Sequence, residues 1–566
     1  MNRKLHILFF SLLLSLCLFK GTDISAKSFK VLAGPTPDAK GILYVKQGST
    51  GDGSSWNNAL GEFRTAVEST NTAVLEIWVA TGTYIPMYSF SFKLKEGIKY
   101  YGGFNGTEID LSQRDWVKNK TILKGNRSSV ITTNQLSNAT VLSGFTISDG
   151  FTTTTPSGLP GDGAGVNSIS SSIVISNCIF QNNNASRGGG IYNFSGFPII
   201  TNCYFTGNTG GAIYNSSSSP TIKDCTFEKN ISFLSAVSNV TSQTTITNCN
   251  FTENRGEDGG AVYNKNSTVT FNNCNFVKNI SISGTSGNNG GAGMFNVLKC
   301  IINIYNCSFI ENSAYHFGGA IVSNNEITLK IVNSLFVNNK ARTQGSELYS
   351  SDKITLDIIN TTFVNNTAEA LISDTGSIKF SNCIVWADFK NDIFYGPYTS
   401  KNSIILGKTD TSNDNINATG ISDTQIFNNP AAGDYTLLEG GIAINKGNNT
   451  LYDPLVFGNL DLSGRSRITE TTIDLGAYES KNGTLGIIGY IEKSNLKTYP
   501  NPVKGDYFTI ENASTDGNAI LYDLTGKQLK SAKIENGKAQ VDVSNLPKGI
   551  YLLKTTKSET LKIVVD

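Results

Sequence analysis

The stretch Asn177-Cys178-Ile179-Phe180-Gln181-Asn182-Asn183 decides how this chain folds, because its pattern Asn-Cys-x-Phe-x-x-Asn returns through the middle of the sequence. The copies are spaced 22 to 33 residues apart. The Cys, Phe and final Asn of the six best copies are Cys178, Phe180, Asn183, Cys203, Phe205, Asn208, Cys225, Phe227, Asn230, Cys249, Phe251, Asn254, Cys274, Phe276, Asn279, Cys307, Phe309 and Asn312. Weaker copies begin at Asn333, Asn360 and Asn382.

This period predicts a repeat fold of β-strands, because each copy holds two or three short runs of alternating apolar residues and none has helical periodicity. Asn and Gly punctuate the runs, as expected at corners with unusual backbone angles. Three strands per coil, repeated about every 25 residues, give a right-handed parallel β-helix, with coils stacked about 4.8 Å apart. Like residues would then form ladders: Cys and Phe fill the bore, and Asn side chains hydrogen-bond at the corners.

The N-terminus has the pattern of a secretory signal peptide. Arg3 and Lys4 precede an apolar run over residues 5–19, and Ala26 is a suitable cleavage point, which assigns residues 1–26 to the signal. The run is too short for a typical transmembrane helix. An alternative is a lipoprotein signal that uses Cys17. No other stretch is long and apolar enough to suggest a membrane span.

Residues 56–68 form the one convincing helical pattern, and we expect this segment to cap the open N-terminal end of the β-helix. The β-helix with its cap is assigned to residues 27–430. A formal net charge of +1 on 566 residues favours neither nucleic acid nor an anionic membrane as a partner.

Three sets of motifs resemble known families. Phe-x-x-Asn followed by Gly-Gly-Ala-Ile, as at residues 205–213, resembles the repeats of chlamydial polymorphic outer-membrane proteins. The segments 44–56 and 101–108 resemble secreted Bacteroidetes β-helix proteins, which implies a pectate-lyase-like solenoid from a bacterium. Residues 431–480 resemble the region called choice-of-anchor Q, which closes such helices; Asn445 stands where that region usually has Asp.

The C-terminal segment carries the most specific resemblance. Its motifs Tyr499-Pro500-Asn501-Pro502, Leu521-Tyr522-Asp523-Leu524-Thr525-Gly526-Lys527 and Leu546-Pro547-Lys548-Gly549-Ile550-Tyr551 resemble the C-terminal sorting domain of the type IX secretion system. We assign residues 494–566 to this domain and 481–493 to a linker. Alternating strands between turns predict a small Ig-like antiparallel β-sandwich. The resemblance implies the type IX machinery as a partner and a secreted or cell-surface location, reached through the periplasm.

Eight cysteines follow the predicted signal peptide, and seven occupy the repeat position. Ladder neighbours about 4.8 Å apart do not suit a disulfide, which needs Cβ atoms about 3.5–4.5 Å apart. We therefore expect buried thiols that act as small apolar groups. Disulfides are the alternative, with Cys300 and Cys307 the pair least constrained by the ladder. No Cys-x-x-Cys pattern indicates a zinc site.

Candidate catalytic residues are few. His6 lies in the predicted signal, so a catalytic triad or a histidine metal centre would depend on His316, for which a turn position is the simpler interpretation. A β-helix enzyme acting on an acidic polysaccharide needs clustered carboxylates, often with Ca²⁺ and a Lys or Arg base. The candidates are Asp162, Glu228, Glu253, Arg255, Glu257, Asp258 and Glu311. A solvated turn face explains them at least as well, since Lys278 and Gly207 occupy related positions.

Two functions remain open from the sequence. The favoured one is a non-catalytic secreted or cell-surface protein, adhesin-like or in contact with glycan, because the repeats are regular and catalytic constellations are scarce. The alternative is a secreted polysaccharide lyase or glycoside hydrolase acting on an acidic polysaccharide. Only residues 150–165 and 280–293 widen the repeats enough to wall a groove. No cofactor is expected, with Ca²⁺ at a turn as the alternative, and the possible partners are an extracellular polysaccharide or a host or cell surface.

Overall fold

The structure is a computed structural model. It describes residues 34–68, 72–152, 161–282, 290–343, 345–364, 371–372, 377–386, 394–395, 397–468, 472–480, 496–511, 513, 517–523, 528–555 and 560–565. The predicted signal peptide and linker, and parts of the segments 150–165 and 280–293, lie outside these residues.

Most described residues form a right-handed parallel β-helix whose strands stack into three long sheets, called A, B and C, and a short sheet D. Sheet A consists of Ile42–Val45, Glu76–Ala80, Lys99–Phe104, Val141–Ser143, Val174–Ser176, Ile199–Thr201, Thr221–Lys223, Gln243–Thr247, Thr268–Asn272, Ile301–Tyr305, Thr328–Val332, Thr355–Ile359, Ser377–Ser381 and Tyr398–Lys401. Sheet B consists of Gly82–Tyr84, Thr121–Lys124, Phe145–Ser148, Ile179–Gln181, Tyr204–Thr206, Thr226–Glu228, Asn250–Thr252, Asn275–Val277, Ser308–Ile310, Leu335–Val337, Thr362–Val364, Ile384–Trp386 and Ile404–Ile405.

The other two sheets complete the coils. Sheet C consists of Phe92–Lys93, Ile131–Asn134, Val166–Ile169, Ile191–Phe194, Ile213–Ser216, Val237–Val240, Val262–Lys265, Met294–Val297, Ile321–Asn324 and Leu348–Ser351. Sheet D consists of Arg255–Gly256, Ile280–Ser281, Ser313–Ala314 and Lys340–Ala341. Each coil therefore runs from A to B, in some coils through D, and then to C. The all-β parallel fold class expected from the repeat is confirmed.

The connection from sheet A to sheet B is the Asn-Cys of the repeat. From Val174–Ser176 onward, two residues separate each described A strand from its B strand, and the first of them, as at Asn177 or Asn248, has φ near +54°. Asn tolerates this left-handed backbone better than most residues. In contrast, the B-to-C connection ranges from residues 207–212 to residues 278–293. Variation in repeat length is therefore concentrated on one edge, which we call the B–C edge.

Two ladders fill the interior. The repeat phenylalanines stack ring over ring, with centroids 4.7 Å apart between Phe180 and Phe205 and 4.4 Å apart between Phe276 and Phe309. All eight described cysteines are buried and free, Cys300 and Cys307 included. Burial raises the pKa of the Cys383 thiol to about 12, so this thiol stays protonated and packs as a small apolar group.

The asparagines that end each repeat form a buried hydrogen-bonded ladder at the start of the B–C edge. The Asn208 amide nitrogen donates to Asn230 Oδ1 at 2.9 Å and to the Phe180 carbonyl at 2.9 Å, and the same pattern recurs at Asn230, Asn254 and Asn279. A second ladder, which the sequence analysis did not single out, runs inside sheet C through Asn193, Asn215, Asn239, Asn264 and Asn296. Each amide donates to the next side chain along the ladder, so these polar groups are buried with partners, except for Asn193 Oδ1 at the start of the second ladder.

The N-terminal end is closed by a short element rather than one continuous helix. Residues 56–68 divide into the 3₁₀-helix Trp56–Asn58 and the α-helix Phe63–Glu68. Between them Leu60 pairs with the first A strand, and Gly61 lies so close to Ser49 that an added Cβ would be 2.2 Å from its carbonyl oxygen. Phe63 is fully buried against the rings of Phe92 and Tyr100. The helical prediction was therefore wrong for the middle of this segment.

Residues 406–468 and 472–480 pack beside the last coils. They contain the antiparallel pair Phe427–Asn429 and Asp434–Leu437, the α-helix Pro454–Phe457, and the 3₁₀-helices Ser412–Asp414, Asp423–Gln425, Pro430–Ala432 and Asn449–Leu451. The turn asparagines of these coils bond to this segment: Asn333 donates to Tyr452 Oη at 2.7 Å and Asn360 to the Asp474 carbonyl at 2.9 Å. The segment therefore covers the A–B edge of the final coils.

A buried charge cluster holds this segment together. The Arg467 side chain is fully buried, and its Nη1 lies 3.4 Å from Glu479 Oε1. Asp474 accepts backbone hydrogen bonds from Asn445 at 2.6 Å and Ser480 at 2.7 Å. Burial raises the pKa of the Glu479 carboxyl to about 8, against the opposing effect of the Arg467 charge.

The C-terminal residues form two antiparallel sheets around their own core. One consists of Lys497–Tyr499, Tyr507–Glu511 and Ala539–Asp542, and the other of Gln528–Ile534, Gly517–Tyr522, Gly549–Thr555 and Thr560–Val565. Phe508, Leu521 and Leu553 are among the buried core residues. The expected small antiparallel, Ig-like domain is confirmed.

Two further short strands lie outside the C-terminal domain. They are Leu371–Ile372 and Phe394–Tyr395, which pair in parallel with each other.

Candidate functional site

The B–C edge presents side chains that the repeat motif does not constrain. In the sheet D strands, the first residue after each ladder asparagine faces solvent and the second, such as Gly256 or Ala314, is buried. The residues one place after the asparagine are Ile231, Arg255, Ile280, Ser313 and Lys340, paired coil to coil in parallel register. The residues three places after it are Phe233, Glu257, Ile282, Tyr315 and Arg342.

An open groove lies on this edge over sheet D, with a volume of about 580 Å³. We call it the sheet D groove; its lining residues are Arg255, Ile280, Ser281, Ile282, Ser313, Ala314, Tyr315 and Arg342. Tyr315 is 42% exposed, and the Arg342 guanidinium lies 4.9 Å from the centroid of its ring. The groove therefore combines an exposed ring, two aliphatic side chains, hydroxyl groups and two guanidinium groups, a mixture suited to a polar ligand with apolar faces.

The charge of the groove is positive. Arg255 and Arg342 line it, and Lys340 is exposed on the adjacent strand. None of these three cations forms an ion pair with any residue that the structure describes. The lining residues that the structure describes include no Asp or Glu. Two unpaired guanidinium groups with fixed, planar donors suit carboxylate or sulfate groups on a ligand.

Three of the acidic candidates lie in the turn before the groove, not inside it. Glu253 and Glu311 share one turn column with Lys229 and Lys278, and they pair with those lysines at 3.5 Å in each case. Glu228 lies one residue earlier, at the end of its B strand, 3.3 Å from Lys229. Opposite charges alternate along this column. The column is therefore a solvated turn face, the alternative to a catalytic cluster of carboxylates.

The remaining acidic candidates are separated along the edge. Asp162 forms a two-point ion pair with Arg187, with N–O distances of 2.9 and 2.7 Å. Arg187 lies three coils before Arg255. Glu257 and Asp258 follow Arg255 but do not line the groove. Burial, followed by the charge of Glu257, raises the pKa of the Asp258 carboxyl. The structure brings Arg255 into the groove and leaves the carboxylates outside it.

His316 lies in the turn beside the groove, with its ring 4.7 Å from the Tyr315 ring. Its backbone carbonyl accepts a hydrogen bond from the Thr343 amide at 3.0 Å, which fixes this turn to the next coil. Among the described residues, no group of three or more His, Cys, Asp or Glu side chains is placed to hold a metal ion.

Of the groove residues, Arg255 is among the candidates predicted from the sequence, whereas Tyr315, Arg342 and Ile280 are not. The sequence does contain a signal for them, because they lie one or three residues after a ladder asparagine, where the repeat alternates outward and inward side chains. In successive repeats these two positions hold an aromatic residue, two arginines and isoleucines on one exposed face.

Comparisons with known proteins describe the two parts of the chain. Residues 129–290 match the family model of the right handed beta helix region, and residues 497–566 match the model of the secretion system C-terminal sorting domain. No curated protein sequence gives a significant match. No helix in the described residues is long and apolar enough to cross a membrane.

Three solved structures are similar. A pectate lyase, Pel9A, has 13% identity and a TM-score of 0.35, over 79% of this chain and 97% of that chain. The Siphovirus 9NA tailspike receptor binding domain has 9% identity and a TM-score of 0.25, over 87% and 95%. The receptor-binding protein of bacteriophage Det7, a podoviral tailspike in a myovirus, has 10% identity and a TM-score of 0.27, over 92% and 97%. Likeness at this level says nothing about what the sheet D groove binds.

The two family matches agree with the two folded parts and with the motifs at the C-terminus. Sorting by the type IX machinery delivers a chain to the cell surface or beyond it. The protein is an exported chain made of a right-handed parallel β-helix followed by a type IX secretion C-terminal sorting domain.

Proposed function

We propose that this protein is a non-catalytic secreted or cell-surface protein that binds an acidic glycan in the sheet D groove. The observation that carries the proposal is the pair Arg255 and Arg342, which line one groove without an ionic partner among the described residues. Each guanidinium can donate two parallel hydrogen bonds to a carboxylate. Tyr315 lies between them in the groove lining and can pack against a sugar face.

The composition of the described lining supports binding over cleavage. Glycoside hydrolysis uses a pair of carboxyl groups, as acid and as base or nucleophile. The described lining residues offer guanidinium, hydroxyl and phenol groups but no carboxyl group. The nearest acidic candidates, Glu257 and Asp258, lie outside the lining.

The test uses the purified full-length protein with polygalacturonate as the acidic glycan and a neutral glucan as the comparison. We expect binding to polygalacturonate that weakens with added salt, because screening reduces charge attraction. The variants Arg255→Ala and Arg342→Ala should each weaken binding about tenfold, the equivalent of one charge-assisted hydrogen bond pair. Lys379→Ala, which removes an exposed cation from sheet A, is the matched control and should leave the affinity unchanged.

The same incubation distinguishes a binding protein from an enzyme. No unsaturated or reducing ends should accumulate with polygalacturonate or alginate. Their appearance in the wild type, and their loss in Arg342→Ala, would favour the lyase or hydrolase alternative. Binding that is equal for the neutral and the acidic glycan, or unaffected by both arginine variants, would overturn the proposal.

A further inference from the structure

Four arginines of the β-helix lie on one edge. Between residues 121 and 405 the sequence contains four arginines, Arg127, Arg187, Arg255 and Arg342. Each lies in a connection from sheet B to sheet C, whereas Arg114, before this range, lies in a connection from sheet A to sheet B. The lysines of the same range occur on sheets A and C, as at residues 223 and 265, and also on the B–C edge, as at residues 229, 278 and 340. Over these coils the B–C edge therefore concentrates guanidinium groups, whose planar donors suit two-point recognition of anions.

Five exposed aromatic residues lie on the same edge, whereas Phe194 and Phe197 lie at the end of sheet C and in a C-to-A connection. Tyr88, Phe90, Phe151, Phe233 and Tyr315 all lie in B-to-C connections and are between 42% and 62% exposed. Aromatic and arginine side chains together are the composition of binding surfaces, not of ordinary solvated surface.

Most of the guanidinium groups lie against rings. Arg127 lies 5.4 Å from the Tyr88 ring centroid, and Arg187 lies 5.3 Å and 5.2 Å from the rings of Tyr192 and Tyr214. Contact with a ring holds the planar group in place while leaving its N–H groups at the edge of the plane. These arginines are therefore oriented before a ligand arrives, which lowers the entropic cost of binding.

The spacing of the arginines follows from the register of sheet C. Two coils separate Arg127 from Arg187, three separate Arg187 from Arg255, and three separate Arg255 from Arg342. At about 4.8 Å per coil these steps are about 10, 14 and 14 Å, or about 38 Å in total. The four arginines are therefore spread along the axis on one edge, whereas a stable protein partner needs a patch of about 800 Å².

We propose that the sheet D groove is one end of a track along the B–C edge, and that this track binds one long linear acidic polysaccharide parallel to the helix axis. The proposal rests on the function proposed above and extends it from a local site to a chain of subsites. Because the subsites are linked by one polymer, each added contact is intramolecular and increases the overall affinity. Arg187 should contribute least, since Asp162 already neutralises its charge.

The test compares two oligogalacturonate sizes on the full-length protein: one that fills only the groove, and one long enough to reach from Arg342 to Arg127, about 38 Å. The long chain should bind at least tenfold more tightly. Arg127→Ala should reduce binding of the long chain at least fivefold and leave binding of the short one unchanged. Arg342→Ala should weaken both, and Lys379→Ala neither.

The Arg127 variant is decisive, because a long chain also gains affinity simply by offering more places to bind. Thermal unfolding of Arg127→Ala should match that of the wild type, since this side chain is exposed. If Arg127→Ala leaves the long chain's affinity unchanged while the short chain still binds, the track is refuted and the groove remains. If neither size binds, the function proposed above fails first.

Discussion

The asparagine ladder allows a sharp prediction for Asn208→Ala. Asn208 Oδ1 accepts hydrogen bonds from the backbone amide of Asn183 at 3.1 Å and from its side-chain amide at 3.0 Å. Its own amide donates at 2.9 Å to the Phe180 carbonyl and to Asn230 Oδ1. Alanine removes all four bonds from a fully buried site, and among the described contacts the backbone N–H of Asn183 has no other acceptor.

The expected cost follows from that orphaned group. A buried donor without a partner costs about 1–3 kcal/mol, and the lost net contribution of the other bonds adds about 1 kcal/mol. We therefore expect a loss of about 3 kcal/mol in the free energy of unfolding. Guanidinium chloride titration followed by far-UV circular dichroism measures it. Asn184→Ala, an exposed asparagine one coil earlier, is the control and should change stability by less than about 0.5 kcal/mol.

A second substitution separates hydrogen bonding from side-chain volume. Asn208→Asp keeps the shape but loses the amide donor, so its second oxygen faces the Phe180 carbonyl and Asn230 Oδ1. The aspartate should bind a proton more tightly in the folded state than the unfolded value of about 3.9. Its folded pKa is raised, so the stability of this variant should fall as pH rises above about 4. If Asn208→Ala and Asn184→Ala have equal stability, or if Asn208→Asp shows no added pH dependence, the ladder does not hold the coils together as argued.

Two further predictions concern buried titratable groups. Burial raises the pKa of the Glu479 carboxyl to about 8, so its favourable contribution to stability is present at low pH and is lost as pH rises from about 4.5 to about 8. The unfolding temperature of the wild type should therefore decline across this range more steeply than that of Glu479→Gln. Parallel profiles for the two proteins would contradict this pKa. The eight described cysteines are buried and free. A thiol reagent at pH 8 should therefore add no mass to them in the folded protein and should label all eight after denaturation. Labelling of Cys249 or Cys274 without unfolding would refute the packing of these side chains in the bore.

The sequence was sufficient for the fold because the repeat constrains inward-facing groups. Phe227 and Asn230 must match the coils above and below them, so their identity recurs every period and is visible in the sequence. The C-terminal domain was equally accessible, since its motifs agree in order and spacing with those of the sorting domain, and the family match covers residues 497–566.

The groove was harder to predict, since its residues are free to vary. Arg255, Ile280 and Tyr315 face solvent at equivalent or neighbouring positions of successive coils and share no residue type. The acidic candidates were chosen largely because several recur near the Phe-x-x-Asn turn, and there Glu253 and Glu311 lie in a charged column beside lysines. The prediction of one continuous helix over residues 56–68 was wrong for a local reason. Gly61 lies closely against Ser49, and the chain is not helical at that point.

The constant two-residue connection between sheets A and B has a consequence for how such a protein can change over generations. Each coil from Val174 onward has the same two-residue turn between its A and B strands, and length differences are absorbed in the B-to-C connection. Duplication or loss of one repeat would therefore lengthen or shorten the body by about 4.8 Å without disturbing the cross-section of any other coil. The length of the β-helix can therefore change in fixed steps of one coil, and unequal recombination between similar repeats is a simple way to produce such a change.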